Sequence, residues 1–273
     1  MAAIREDSVN IAPVDPAAAR DDVNNCPDPG LGGRSAPVSG YKITPELVAM
    51  AYMRGIFPMA ESREDGALYW IDPDTRCLLP IEGIRLSRSM RRRLRRAGFA
   101  FSTDRAFGEV IRGCADRPET WISHRIEALF GALHRRGLAH SVEVWLEGRL
   151  VGGLYGLALG GAFFGESMFS RVPDASKAAL AWLLPRLRRA GFTLFDAQFM
   201  NPHLARLGAF ELPRAAFRAR LAEALARSPD WSRVAAPEPE PWAGPGAQPT
   251  DHSEAGAESA SAGRPVQPRS QTS

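Results

Sequence analysis

From residue 44 onward the chain switches between two hydrophobic periods. Thr44-Pro45-Glu46 followed by Leu47-Val48-Ala49-Met50-Ala51-Tyr52 predicts a helix capped by Thr44, with Pro45 in its first turn and Gly55 at its end. Ile56-Phe57-Pro58-Met59 reads as an extended apolar turn, 60–67 as a polar loop, 68–71 as a short strand halted by Asp72-Pro73-Asp74, and 76–80 as a second strand. Ser87 caps a helix over 88–96 that Gly98 ends; 99–103 alternates as a strand; helices follow over 107–114 and 122–136. Period-two alternation over 141–146, a turn at Glu147-Gly148-Arg149, a glycine-loaded strand over 150–159, a second turn at Gly160-Gly161 and a strand over 162–166 predict an antiparallel meander. A helix to Arg189, a strand over 192–198, a short helix over 203–207, a strand ending at Pro213 and a helix over 214–227 complete the pattern.

This is a mixed α/β (α+β) order. A meander followed by helix, strand, helix and strand is similar to the second half of acetyltransferase-type (GNAT-like) domains. In those domains a glycine-bearing loop between meander and helix offers bare backbone amides to the coenzyme A pyrophosphate. Here that segment reads Ser170-Arg171-Val172-Pro173-Asp174-Ala175-Ser176, without a glycine. The expectation is an acyl-transfer scaffold from which the coenzyme A site has been lost.

Charge changes the picture more than composition does. Residues 41–235 hold 29 Lys/Arg against 20 Asp/Glu, whereas the two tails together hold 5 against 11. The part expected to fold is basic and suits a polyanionic partner, with an arginine-biased solubilising surface as the competing reading. Residues 1–40 and 236–273 are rich in Ala, Pro, Gly and acidic or small polar residues without apolar period, and are expected to be disordered acidic and Pro/Ala/Ser-rich tails. Three separated cysteines without a CxxC pair argue against a thiolate zinc site or a disulfide framework. No basic-then-apolar leader opens the chain, and the longest uncharged run, residues 150–165, is 16 residues, short of the roughly 20 that a spanning helix needs. A soluble, cytoplasmic protein is expected.

Four stretches carry candidate chemistry. Arg85, Arg88, Arg91, Arg92, Arg93, Arg95 and Arg96 place seven cations in twelve residues with no acidic residue at i±4, which points to contact with a phosphate backbone; a solvated helix face is the alternative. Trp121 in Thr120-Trp121-Ile122-Ser123 is either core or a platform for a base. Glu166 closes the uncharged run, where a carboxylate is costly unless it is wet or held for a cationic partner; Phe163 and Met168 beside it are core or pocket wall. Asp196 and Gln198 sit at the carboxyl end of an apolar strand, where period two puts both on one face and marks a cleft. A buried hydrogen-bonding pair is the plainer reading of those two. The five histidines show no metal-ligand spacing, so no metal and no cofactor are expected.

Together these strings resemble the bacterial leucyl/phenylalanyl-tRNA–protein transferases. The resemblance rests on Tyr52-x-Arg54-Gly55-Ile56-Phe57-Pro58, Trp70-x-Asp72-Pro73-x-x-Arg76, Ser87-Arg88-Ser89-Met90 and Thr120-Trp121-Ile122. It continues through His140-Ser141-Val142-Glu143-Val144-Trp145, Val151-Gly152-Gly153-Leu154-Tyr155-Gly156, Gly165-Glu166-Ser167-Met168-Phe169-Ser170-Arg171 with Ala175-Ser176-Lys177, Asp196-x-Gln198 and Leu207 to Arg214, covering about residues 41–230. It implies a small amino-terminal domain over 41–75 joined to a GNAT-like catalytic domain over 76–235. It also implies transfer of Leu or Phe, with Met as a side reaction, from aminoacyl-tRNA to the α-amine of proteins that begin with Arg or Lys, which marks them for N-end-rule degradation.

Carried over by position, the resemblance makes Asp196 and Gln198 the catalytic pair, Asp196 holding Gln198 and helping to strip the proton from the attacking amine. Glu166 becomes the active-site carboxylate facing the basic acceptor. Leu154, Phe163, Met168, Leu180 and Phe195 become the side-chain pocket, and Trp121 the platform for the terminal adenosine. Arg88, Arg91, Arg92, Arg95 and Arg96 become the acceptor-stem contact. Met59 stands where the family often has a second tryptophan; a thioether packs on a base but lacks the indole face. A monomer is expected. The rivals are a peptidoglycan-type aminoacyl transferase, a small-molecule N-acetyltransferase and a non-catalytic tRNA-binding protein.

Overall fold

The structure, a computed structural model, describes residues 43–236, so the two predicted tails lie outside it apart from residue 236. Helix α1 (Pro45–Met53) starts where Thr44 Oγ1 accepts the Leu47 N–H and stops where Gly55 turns left-handed at φ 83°. Strands β1 (Phe57–Met59) and β2 (Tyr69–Ile71) form a two-stranded antiparallel ribbon.

The remaining strands make one seven-stranded sheet. They are β3 (Thr75–Leu79), β4 (Ala100–Thr103), β5 (Ala139–Leu146), β6 (Arg149–Leu159), β7 (Ala162–Ser170), β8 (Leu194–Asp196) and β9 (Phe210–Pro213). Their spatial order is β4-β5-β6-β7-β8-β3-β9, and only β7 and β8 pair in parallel. The helices are α2 (Arg88–Arg96), α3 (Phe107–Ala115), α4 (His124–Arg135), α5 (Ala175–Ala190), α6 (Pro202–Leu207) and α7 (Arg214–Leu225). The chain therefore follows the mixed α/β order of meander, helix, strand, helix and strand.

Alternation divides the sheet between two apolar cores. One face gathers Tyr155, Phe164 and Phe169 with α1, α3, α4 and α7; the other gathers Val142, Leu154, Phe163 and Phe195 with α5 and Leu94 of α2. Among the described residues no helix is long and apolar enough to cross a membrane.

Three of the boundaries that differ from the sequence pattern have a visible cause. Helix α4 begins at His124, not at 122, because Ser123 Oγ accepts the Ile126 N–H and caps it. Strand β7 continues past Glu166 to Ser170, because a bulge absorbs the break in alternation: Gly156 pairs with Gly165 while Tyr155 pairs with Ser167. Glu166 is the extra residue, and beyond it the parity of the strand flips, as bulges do. Strand β8 stops at Asp196, because Gln198 adopts φ 57° and leaves the extended region. Asp196 and Gln198 therefore do not share a strand face; a turn brings them together.

Candidate active site

At the carboxyl end of β8, Asp196 is fully buried and accepts from a single arginine. Arg76, on the adjacent strand β3, donates from Nε to both carboxylate oxygens at 3.0 Å and from Nη2 to Oδ2 at 2.7 Å. Its remaining Nη1 donates to the Gly55 carbonyl at 2.6 Å, and its guanidinium carbon lies 4.6 Å from the ring centres of both Phe57 and Phe217. Oδ1 also accepts the Gln198 backbone N–H at 2.9 Å. Buried charges persist only when paired and fully hydrogen-bonded, and this pair is. Asp196 thus holds the Gln198 turn by its backbone rather than by its side-chain amide.

That left-handed turn aims the Gln198 side chain at Glu166. One end of the Gln198 amide lies 2.9 Å from the Gly165 carbonyl and 3.2 Å from that of Ala197. The other end lies 3.3 Å from Glu166 Oε1. Backbone carbonyls can only accept, so the NH2 group belongs with them and the amide oxygen faces Glu166. At 3.3 Å the two oxygens are only in van der Waals contact, an approach that a neutral Glu166 carboxyl tolerates better than a carboxylate. Its surroundings agree. Burial, reinforced by the Asp196 charge, pushes Glu166 up to about 8, against the opposing pull of Tyr52 and Arg76. The Tyr52 and Tyr155 hydroxyls are buried on its inner side.

Glu166 and Gln198 are among the polar residues that line a cavity of about 550 Å³. Leu154, Met168, Leu180 and Phe195 line its apolar part together with Leu79 and Leu204, and Trp121, Arg117 and Arg171 also line it. Met168 reaches this wall because the bulge at Glu166 shifts parity. Phe163 is not among the lining residues; it is fully buried, with its ring 5.3 Å behind that of Phe195. Trp121 also borders a second cavity of about 340 Å³, whose walls include Met59, Tyr69 and Ile71. The structure therefore brings Trp121 and Met59 to one hollow that adjoins the first.

The arginines of α2 project outward, while Leu94 anchors the helix in the core. Arg93 Nε pairs with Asp174 Oδ2 at 2.9 Å, a partner distant in sequence that no i±4 pattern reveals. The contact pins α2 beside the start of α5, whose Ser176 and Leu180 line the larger cavity.

The glycine-free segment before α5 uses its own amides. Ser176 N–H donates to Ser170 Oγ, Arg171 N–H to the Val151 carbonyl and Ala175 N–H to that of Val172. No bare cradle for a pyrophosphate is left along these three residues. Cys77 and Cys114 are buried and burial pushes both thiols up to about 12, so neither is a nucleophile at neutral pH. Among the described residues no three His, Cys, Asp or Glu side chains cluster as metal ligands.

Sequence reasoning missed Arg76 as a site residue. The signal was present: a guanidinium directly before the apolar Cys77-Leu78-Leu79 has to find a partner when that strand is buried.

A mixed α/β fold whose cavity joins an apolar pocket to an amide–carboxyl pair suits the class of enzymes that place an apolar group beside an acceptor. Comparison with known proteins gives that class a family. Residues 41–74 match the leucyl/phenylalanyl-tRNA protein transferase N-terminal domain, and residues 78–222 match the leucyl/phenylalanyl-tRNA protein transferase model. A leucyl/phenylalanyl-tRNA–protein transferase of Ruegeria sp. (strain TM1040) is 53% identical over 198 residues, 72% of this chain and 94% of its own. Proteins of the same name from Ruegeria pomeroyi and Rhizorhabdus wittichii are 55% and 56% identical, over 70% and 67% of this chain and 91% and 75% of theirs. A solved structure titled as that of L-PGS from Bacillus licheniformis aligns at TM-score 0.34 and 16% identity over 59% of this chain and 53% of its own. The chain belongs to the leucyl/phenylalanyl-tRNA–protein transferase family and is an aminoacyltransferase.

Proposed function

We propose that this protein transfers leucine or phenylalanine, and methionine more slowly, from aminoacyl-tRNA to the α-amine of proteins beginning with Arg or Lys. The product is an N-degron, and the enzyme works as a cytoplasmic monomer without cofactor. The observation that carries this reading is the apolar wall of Leu154, Met168, Leu180 and Phe195 leading to Gln198 and Glu166, with Trp121 on the same cavity.

An aminoacyl ester is already activated, so the enzyme's task is placement. Holding the amine about 3 Å from the ester carbon supplies much of the rate. The N–C bond forms, the bond from that carbon to the 3′ oxygen of the terminal adenosine breaks, and the proton lost by the amine goes to the leaving oxygen. Asp196 keeps Gln198 in place, and the Gln198 amide and the Glu166 carboxyl meet the incoming acceptor.

The pocket is testable through Gly165. A Cβ there would lie 2.6 Å from Phe195 Cζ, so Gly165→Ala must displace the Phe195 ring, which lines the pocket. Transfer from Phe-tRNA should fall about tenfold more than transfer from Leu-tRNA, within the range pocket sterics allow. Competition between the two charged tRNAs measures the ratio, and an unchanged ratio removes Phe195 from the pocket.

Glu166 gives a pH signature. A cationic acceptor side chain favours the ionised carboxylate, which forms as pH rises through about 8. Below that pH, binding must expel the proton, at a cost of up to about tenfold in affinity per pH unit. The KM for an Arg-initiated peptide should therefore fall from pH 6.5 to 8 and level off above. The acceptor α-amine titrates near the same pH in either enzyme, so the signature is the part of this dependence that Glu166→Gln loses relative to wild type. A wild-type KM that is flat across this range contradicts the protonated Glu166.

A further inference from the structure

Resting on the transfer reaction proposed above, we propose that Arg76 is a positioning residue for it: it orients Asp196, and through Asp196 the turn that presents Gln198. Arg76 lies in the three residues between the two family matches, 75–77, and touches neither cavity.

All three of its nitrogens are engaged. Nε and Nη2 take both Asp196 oxygens, and Nη1 takes the Gly55 carbonyl at the close of α1. Two aromatic faces, Phe57 from the amino-terminal ribbon and Phe217 from α7, fix the plane of the guanidinium. A planar fork held in this way orients the carboxylate in a way a point charge cannot.

Two consequences separate this role from mere structural support. Asp196 is occupied as the partner of a guanidinium, so it anchors the Gln198 N–H and does not take the proton of the amine. Arg76 also ties Gly55 and Phe57 to the catalytic turn, beside the edge-to-face contact of Phe57 with Phe199. A buried ion pair that served stability alone could be exchanged for apolar side chains without loss of function. A positioning pair could not.

The test is a double-mutant cycle. Arg76→Lys keeps the charge and loses the fork. It should fold, bind aminoacyl-tRNA within about threefold of wild type and lose kcat by about 30-fold or more. Amide exchange over residues 196–199 should rise while the rest of the sheet stays protected. Combining Arg76→Lys with Asp196→Asn should lower kcat no further than the worse single change, because both act through one contact. Should Arg76→Lys fail to fold, Arg76→Met with Asp196→Leu removes both charges together and is expected to be folded and at least about 100-fold slower.

A kcat for folded Arg76→Lys within threefold of wild type, losses that multiply in the cycle, or a fast apolar double variant would each overturn the proposal. The exchange measurement needs no turnover, so a wild-type enzyme inactive on Leu-tRNA would count against the reaction, and unchanged exchange in Arg76→Lys against Arg76.

Discussion

Asp196→Asn should lower kcat by about 10²–10³-fold while leaving aminoacyl-tRNA affinity nearly unchanged. The side chain keeps its size but loses the charge that two Arg76 donors and the Gln198 N–H converge on. Gln198 is held at φ 57°, a conformation costly for a residue with a side chain, by that anchor together with the backbone bonds that Ala197 and Gln198 make to Cys77. The same substitution leaves the Arg76 guanidinium buried without its counter-ion, which costs about 3–5 kcal/mol of stability. Denaturant unfolding measures the second effect, and single-turnover transfer at saturating tRNA measures the first. Equal losses in rate and tRNA binding would mean that Asp196 shapes the binding surface rather than the reaction.

Charge reversal of Arg92 and Arg95 should act in the opposite way, weakening tRNA binding and flattening its salt dependence while kcat at saturation holds. These residues project outward from α2, on a helix fixed by Leu94 within and by the Arg93–Asp174 pair beside the start of α5. Each phosphate contact on a duplex contributes about 0.9 to the slope of log K against log salt, so losing two should reduce the slope by about 1.8. Filter binding of charged tRNA across a salt series reads this directly. An unchanged slope would take the arginine helix out of the tRNA path.

The parts of this protein that were legible in its sequence are those governed by neighbours in the chain. Ser87 and Gly98 bound α2, and Thr44 and Gly55 bound α1, because caps and left-handed closures are local chemistry. The meander was legible because period two survives along most of it. Where period two failed, the cause was a contact from elsewhere. The bulge that sets Glu166 apart exists in the pairing with β6, and nothing in 162–170 alone announces it.

The candidate site follows the same division. Asp196, Gln198 and Glu166 do converge, but through a turn and a bulge rather than along one strand face. Met168 faces the pocket with Leu154 and Phe195 because of that bulge, and Phe163 sits one layer behind. Arg76 is joined to Asp196 across 120 residues of sequence, and Arg93 to Asp174 across 81. Such partners are fixed by sheet order and helix docking, which no window of sequence contains.

The most direct test of the account is transfer of labelled leucine from Leu-tRNA to paired peptides that differ only in beginning with Arg or with Ala. Label on the Arg peptide alone is the predicted result, and it establishes reaction, donor and acceptor rule together. Label on neither peptide, with charged tRNA still bound, would contradict the account and leave a tRNA-binding protein or an enzyme for another acceptor.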